Sequence, residues 1–95
     1  MVAWATFRQA NFKVTSGALR YQESSQGVTR GHCPACGTSI TYQSVTRPGE
    51  VDLTLASLDD PSGFQPTAHI WMEDKLPWVT ISDGLPQYAR TVTFP

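Results

Sequence analysis

Ninety-five residues with 40% hydrophobic side chains set one domain, residues 1–95, as the upper bound, and its thin core leans on the 11% of aromatic residues and on support from a metal, a disulfide or a partner. Seven Lys+Arg against eight Asp+Glu leave a net charge of −1, which excludes the positive field that non-specific nucleic-acid binding requires. No stretch approaches the roughly 20 apolar residues of a membrane span, and Met1–Phe7 lacks the basic start and apolar run of a signal peptide, so a soluble, cytoplasmic protein with no nucleic-acid or membrane partner is expected.

In chain order the pattern is strand after strand, punctuated by turns. Val2-Ala-Trp-Ala-Thr-Phe7 alternates and is rich in strand formers. Phe12-Lys-Val-Thr15 reads as a short strand ended by Ser16-Gly17, and Leu19–Glu23 alternates again before the polar turn Ser24-Ser-Gln-Gly27. Val28-Thr-Arg30 leads into Cys33-Pro-Ala-Cys-Gly37, and Thr38–Gln43 leaves it with Ile40 and Tyr42 on one face. Arg47-Pro-Gly-Glu50 is a tight turn, and Glu50–Ala56 is the cleanest strand, with Val51, Leu53 and Leu55 sharing a face. After a loop marked by Asp59-Asp-Pro-Ser-Gly63 and Pro66, further strands are expected at Ala68–Met72 and Trp78–Ile81, then a turn at Asp83-Gly-Leu-Pro86 and a tail ending Thr91-Val-Thr-Phe-Pro95. No segment holds a 3.6-residue period over ten residues, so the chain is predicted to be all-β.

The chemistry concentrates at Cys33 and Cys36. Zinc takes four ligands in a tetrahedron, and a Cys-x-x-Cys turn places two thiolates on one side. Gly37 suits the positive φ of such a turn, and flanking strands make it a hairpin tip, the usual place of a zinc knuckle. The rival reading is a redox dithiol. Thioredoxin-like sites use a helix N-terminus to lower the thiol pKa, whereas Gly37–Tyr42 alternates as a strand does. In a reducing compartment a two-cysteine chain points to metal or redox chemistry rather than a disulfide framework.

The other candidates are weaker. His32 adjoins Cys33, but strand neighbours point to opposite faces, so a partly exposed strand histidine is the expectation. His69 reads as a core-edge histidine bonded to backbone. Trp4, Trp71 and Trp78 could line a ligand groove but are expected in the core, Asp59 and Asp60 are expected in a turn, and Arg20, Arg30 and Arg47 could bind an anion but are scattered and expected on solvated faces. No phosphate-binding glycine loop or nucleophile elbow is present.

An ordered set of landmarks goes further. Thr15-Ser-Gly17, Tyr21-Gln-Glu-Ser-Ser25, Val28-Thr-Arg30, Cys33-Pro-Ala-Cys-Gly-Thr38, Pro48-Gly-Glu-Val-Asp52, Ser57-Leu-Asp-Asp-Pro61, His69-Ile-Trp71, Leu76-Pro-Trp78 and Asp83-Gly-Leu-Pro86 occur in this order. Together they resemble the glutathione-dependent formaldehyde-activating enzyme family, which also includes centromere protein V, over about Val2 to Tyr88. The resemblance implies β-tent-like antiparallel sheets carrying a zinc-knuckle hairpin. It implies a structural zinc held by four cysteines, two of them matching Cys33 and Cys36, and a carbon–sulfur lyase activity that joins formaldehyde to glutathione. The family's other cysteines, Cys-x-Cys for the structural zinc and Cys-x-Cys-x-x-Cys for a catalytic zinc, lie in an N-terminal segment. Cys33 and Cys36 are the sole cysteines in this sequence. The chain therefore resembles the C-terminal part of the family and reads as an N-terminally truncated member.

Zinc is thus the expected cofactor, with Cys33 and Cys36 as metal ligands and no catalytic residue assigned. The leading expectation is a non-catalytic zinc-binding domain that forms a homodimer to complete its fold, two knuckles making one Cys₄ site. The alternatives are a carbon–sulfur lyase acting on glutathione or a thiol adduct, and a redox switch at the same two thiols. A nucleic-acid role by analogy to centromere protein V conflicts with the acidic balance.

Overall fold

The computed structural model of the chain describes residues 1–91, so the tail expected at Thr91–Pro95 lies, beyond Thr91, outside the described residues. Contacts divide the chain into one compact unit of Met1–Phe64 and a second beginning at Gln65. The first unit is built on one antiparallel sheet of five strands, and the described residues contain no α-helix, so the chain is all-β. No described helix is long and apolar enough to cross a membrane.

The strands are β1 (Trp4–Arg8), β2 (Arg20–Ser25), β3 (Val28–His32), β4 (Ser39–Ser44) and β5 (Glu50–Thr54), in the spatial order β1-β5-β4-β3-β2. Strands β2 to β5 form a meander whose tight turns follow from the polar and glycine clusters between them. Strand β1 closes the far edge by pairing with β5, from Trp4 opposite Thr54 to Arg8 opposite Glu50. The chain must then travel from the β1 edge to the β2 edge, roughly 19 Å at about 4.8 Å per strand. This is why Phe12–Thr15, expected as a strand, is irregular: it belongs to the connection and joins no sheet among the described residues.

The register sorts side chains to two faces. Ala5, Phe7, Val51, Leu53, Thr41, Gly31 and Tyr21 share one, since Phe7 is opposite Val51, Thr41 opposite Leu53 and Gly31 opposite both Thr41 and Tyr21. The core sits here: Val51 is 0% exposed, Thr41 1%, and Phe7 packs edge-on against Phe64 at 5.6 Å between ring centroids. Leu55 is also buried, but in the 3₁₀ turn Leu55–Ser57 that ends β5, so the expected shared face stops at Leu53. Trp4, Thr6, Asp52, Tyr42 and Arg30 share the opposite face.

The second unit corrects several expectations. Ala68–Met72 and Trp78–Ile81 are not strands; a single parallel bridge joins His69 to Gln87. The extended run is broken at Trp71, whose backbone is left-handed (φ 58°, ψ 35°) before the 3₁₀ turn Met72–Asp74. Such a conformation costs a bulky residue about 1–2 kcal/mol. Three backbone bonds offset it: Trp71 N–H to the Arg90 carbonyl at 2.9 Å, Met72 N–H to Tyr88 at 3.0 Å and Asp74 N–H to Trp71 at 3.0 Å. Nor do the tryptophans form a core. Trp78 is 77% exposed and Trp71 46%; only Trp4 is half-buried, edge-on to Tyr42 at 6.2 Å. The turn reading of Asp59-Asp60 holds, because the Asp60 carboxylate accepts from the Ser62 backbone N–H at 3.1 Å and caps the 3₁₀ turn Pro61–Gly63.

Gly31 is the tightest point of the sheet. The Tyr21 ring lies across it, the cross-strand arrangement in which an aromatic covers a glycine. A Cβ built on Gly31 would meet the Thr41 hydroxyl and stand 2.9 Å from the Tyr21 ring. The Thr41 hydroxyl is itself buried without a hydrogen-bond partner among the described residues. Two opposite outcomes are expected in urea denaturation. Gly31→Ala lowers stability by about 1–3 kcal/mol through overpacking. Thr41→Val raises it by about 1 kcal/mol, because it keeps the branched shape and removes an unsatisfied buried hydroxyl.

Candidate metal centre

Strands β3 and β4 position the two cysteines. His32 ends β3 opposite Ser39, after a register shift at Gly31/His32, and the chain turns back through Cys33–Thr38. Two backbone bonds close the turn: Cys33 N–H donates to the Thr38 carbonyl at 2.9 Å, and Gly37 N–H donates to the Cys33 carbonyl at 2.8 Å. Gly37 takes the positive φ the turn needs, 78°, as its place after the second cysteine predicted.

Both thiols are free; Cys33 is half-buried and Cys36 exposed. The Thr38 hydroxyl lies 3.1 Å from Cys36 Sγ. That hydroxyl first, then the Thr38 backbone N–H and the Cys33 thiol, hold the Cys36 pKa below the ordinary thiol value by favouring the thiolate. Two thiols on one tight turn, one of them hydrogen-bonded in a way that favours its thiolate, are half of the four donors that zinc takes at a knuckle, so these residues fit the metal as a half-site. No helix contributes, so the helix-dipole route to a redox dithiol is absent from this turn. Cys33 also lines an open hollow of about 390 Å³, walled by Val14, Leu19, Pro34, Ala35 and Ile40.

Neither histidine joins the pair. Among the described residues, no group of three or more His, Cys, Asp or Glu side chains is placed to hold a metal ion. His32 is a half-buried strand residue opposite Arg20, as expected. His69 is half-buried too, but its ring bonds a side chain rather than backbone: Nε2 is 2.7 Å from Asp83 Oδ2. The Leu85 backbone N–H, then the His69 ring, hold the Asp83 carboxyl below the usual carboxylate range. The arginines are not all scattered. The register sets Arg30 directly opposite Tyr42, and the turn after β4 brings Arg47 to the same ring. Thr38 and the Arg30–Tyr42 pair are the polar features that the sequence pattern did not single out; Thr38, two residues past the second cysteine, was the legible one.

Two titrations follow. Alkylation of Cys36 by iodoacetamide, followed against pH, has its midpoint below that of an ordinary thiol, and Thr38→Val moves it upward and slows the reaction at neutral pH. Asp83 titrates below an ordinary aspartate in carboxyl-carbon NMR. A depressed folded-state pKa stabilises above the unfolded value and is lost as pH falls through the folded one, so the local structure around Leu85 loosens only in that acidic window.

A search of curated proteins finds no match to this chain. A family model described as glutathione-dependent formaldehyde-activating enzyme matches residues 1–74, which include the whole five-stranded sheet, the knuckle and His69. With that match across most of its length, and with the knuckle at the tip of the central hairpin, the chain belongs to the glutathione-dependent formaldehyde-activating enzyme family.

Proposed function

We propose that this chain is a structural zinc-binding domain, and that Cys33 and Cys36 supply two thiolates of a Cys₄ site completed by the same pair from a second copy. The observation that carries it is the Cys33–Thr38 turn, which presents a half-buried thiol and a thiolate-favouring exposed one with no third ligand among the described residues. Zinc at such a site would cross-link two hairpin tips and stay closed to substrate. A two-fold axis beside the knuckle makes the contact isologous, with each chain contributing one pair. The apolar walls of the hollow next to Cys33 support the same placement, since a partner's identical surface would cover Val14, Leu19 and Ile40. The thin core supports a partner as well: Val51 and Leu55 are the buried hydrophobic residues of the described chain.

Pairing through the exposed edge strand β2 is a different dimer. Arg20 at one end of β2 lies opposite His32 beside the knuckle, and Ser25 at the other end lies opposite Val28. Antiparallel β2–β2 pairing would hold the two knuckles on the order of 15 Å apart along the strands. A shared zinc ion and a shared β2 edge therefore exclude one another.

The second reading is favoured by the family match: a carbon–sulfur lyase acting on glutathione adducts, the type that forms S-hydroxymethylglutathione. A catalytic zinc takes three protein ligands and an open position, and no such triad is present among the described residues. Native mass spectrometry separates the readings. The structural reading predicts one zinc per two chains, with zinc and dimer both lost in Cys33→Ser. One zinc per single chain, or a metal-free dimer, contradicts it, and turnover of formaldehyde with glutathione by the zinc-loaded chain favours the lyase.

A further inference from the structure

We infer that Arg30, held against Tyr42, is a carboxylate-binding position for a small peptide thiol of the glutathione class. It stands apart from the zinc site and rests on family membership, so it holds whether or not two chains share a metal ion.

Tyr42 is flanked by two guanidiniums, Arg30 at 4.8 Å and Arg47 at 5.9 Å from its ring centroid. The two cations differ in what else they meet. Arg47 is neutralised: Nη2 donates to Asp52 Oδ2 at 2.5 Å and Nη1 to Asp52 Oδ1 at 3.3 Å, with Glu50 at 3.4 Å. The Asp52 bond raises the Arg47 pKa further, and Asp52 is anchored in turn by the Thr6 hydroxyl at 2.6 Å. Arg30 has no such partner. Its Nε donates to Ser24 Oγ at 3.0 Å, and among the described residues no carboxylate lies within ion-pairing reach of it.

The guanidinium of Arg30 is therefore fixed in position but open at its fork. The Tyr42 ring and the Ser24 hydroxyl hold two of its sides, and Trp4 braces Tyr42 from the edge at 6.2 Å. The two terminal nitrogens remain, the planar pair of donors that matches a carboxylate bidentately. Little side-chain entropy is left to lose on binding, which is what preorganisation contributes to affinity. Charge selects the ligand class. Asp52 and Glu50 stand behind Arg47 around the same ring, so the platform carries balanced charge and disfavours a phosphate dianion relative to a singly charged carboxylate. The family named by the match acts with glutathione, a tripeptide thiol with two carboxylates.

The test is an amide and arginine side-chain NMR titration of the reduced chain with glutathione, its diethyl ester and inorganic phosphate. Saturable shifts at Arg30, Ser24 and Tyr42 below about 10 mM glutathione are expected. The ester, which lacks both carboxylates, is expected to bind at least about tenfold more weakly, and Arg30→Lys to cost about tenfold, because an ammonium keeps the charge but not the fork. Arg20→Gln, an exposed arginine outside this platform, leaves affinity unchanged. Absence of saturation, equal binding of the ester, tighter binding of phosphate, or wild-type affinity in Arg30→Lys overturns the assignment. The ester and phosphate comparisons use the unaltered chain, so they decide the matter even where a variant fails to fold.

Discussion

Two backbone hydrogen bonds across the Cys33–Thr38 turn organise the chemistry of this protein. They fold the β3–β4 connection back on itself, so that Cys33 and Cys36 come off one tight turn and Thr38 reaches the Cys36 sulfur. The same turn fixes the β3–β4 register, which then places Arg30 opposite Tyr42 and Gly31 opposite Thr41. One short loop thus governs the thiol pair, the cation–aromatic platform on one face and the Tyr21-covered glycine on the other. Zinc bound there would act on the whole sheet, since metal binding to two folded thiolates is also folding free energy.

The sheet itself is the reason a partner is proposed. A single five-stranded layer has two faces to cover, and in the first unit only one gains a core, around Val51 and Thr41. The other face is stabilised differently, by the Arg47–Asp52 ion pair, the Thr6–Asp52 hydrogen bond and aromatic contacts at Tyr42. Partly exposed ion pairs are individually modest contributors. A polar network of this kind suits a surface that meets solvent and ligands, whereas the apolar hollow beside Cys33 suits a surface that is covered by protein.

Much of this was legible in the residue pattern, and the failures have physical causes. Strands β1, β2, β4 and β5 lie on segments that alternate, and the Cys-x-x-Cys-Gly spacing marks the turn, because strand alternation and positive-φ glycine are local properties; β3, Val28–His32, does not alternate and is set by pairing with β2 and β4. Expectations failed where distant partners decide. Phe12–Thr15 has strand composition but lies in the connection between the two sheet edges. Ala68–Met72 has strand composition, yet its backbone bonds go to residues 86–90, and the left-handed Trp71 interrupts it. His69 found its partner in Asp83, fourteen residues away, which no local pattern encodes. Arg30 and Arg47 looked scattered because their meeting at Tyr42 depends on cross-strand register. Residue type alone puts the tryptophans in the core, whereas Trp71 and Trp78 lie at the surface.

The central claim is that two chains share one zinc ion through four thiolates. X-ray absorption at the zinc edge counts the sulfur neighbours directly. In buffer free of added thiols, a chain with two cysteines that yields four sulfur scatterers at about 2.3 Å per zinc draws them from two copies, and this is the predicted result. A shell of two sulfurs completed by nitrogen or oxygen would contradict it and return both cysteines to a site within one chain.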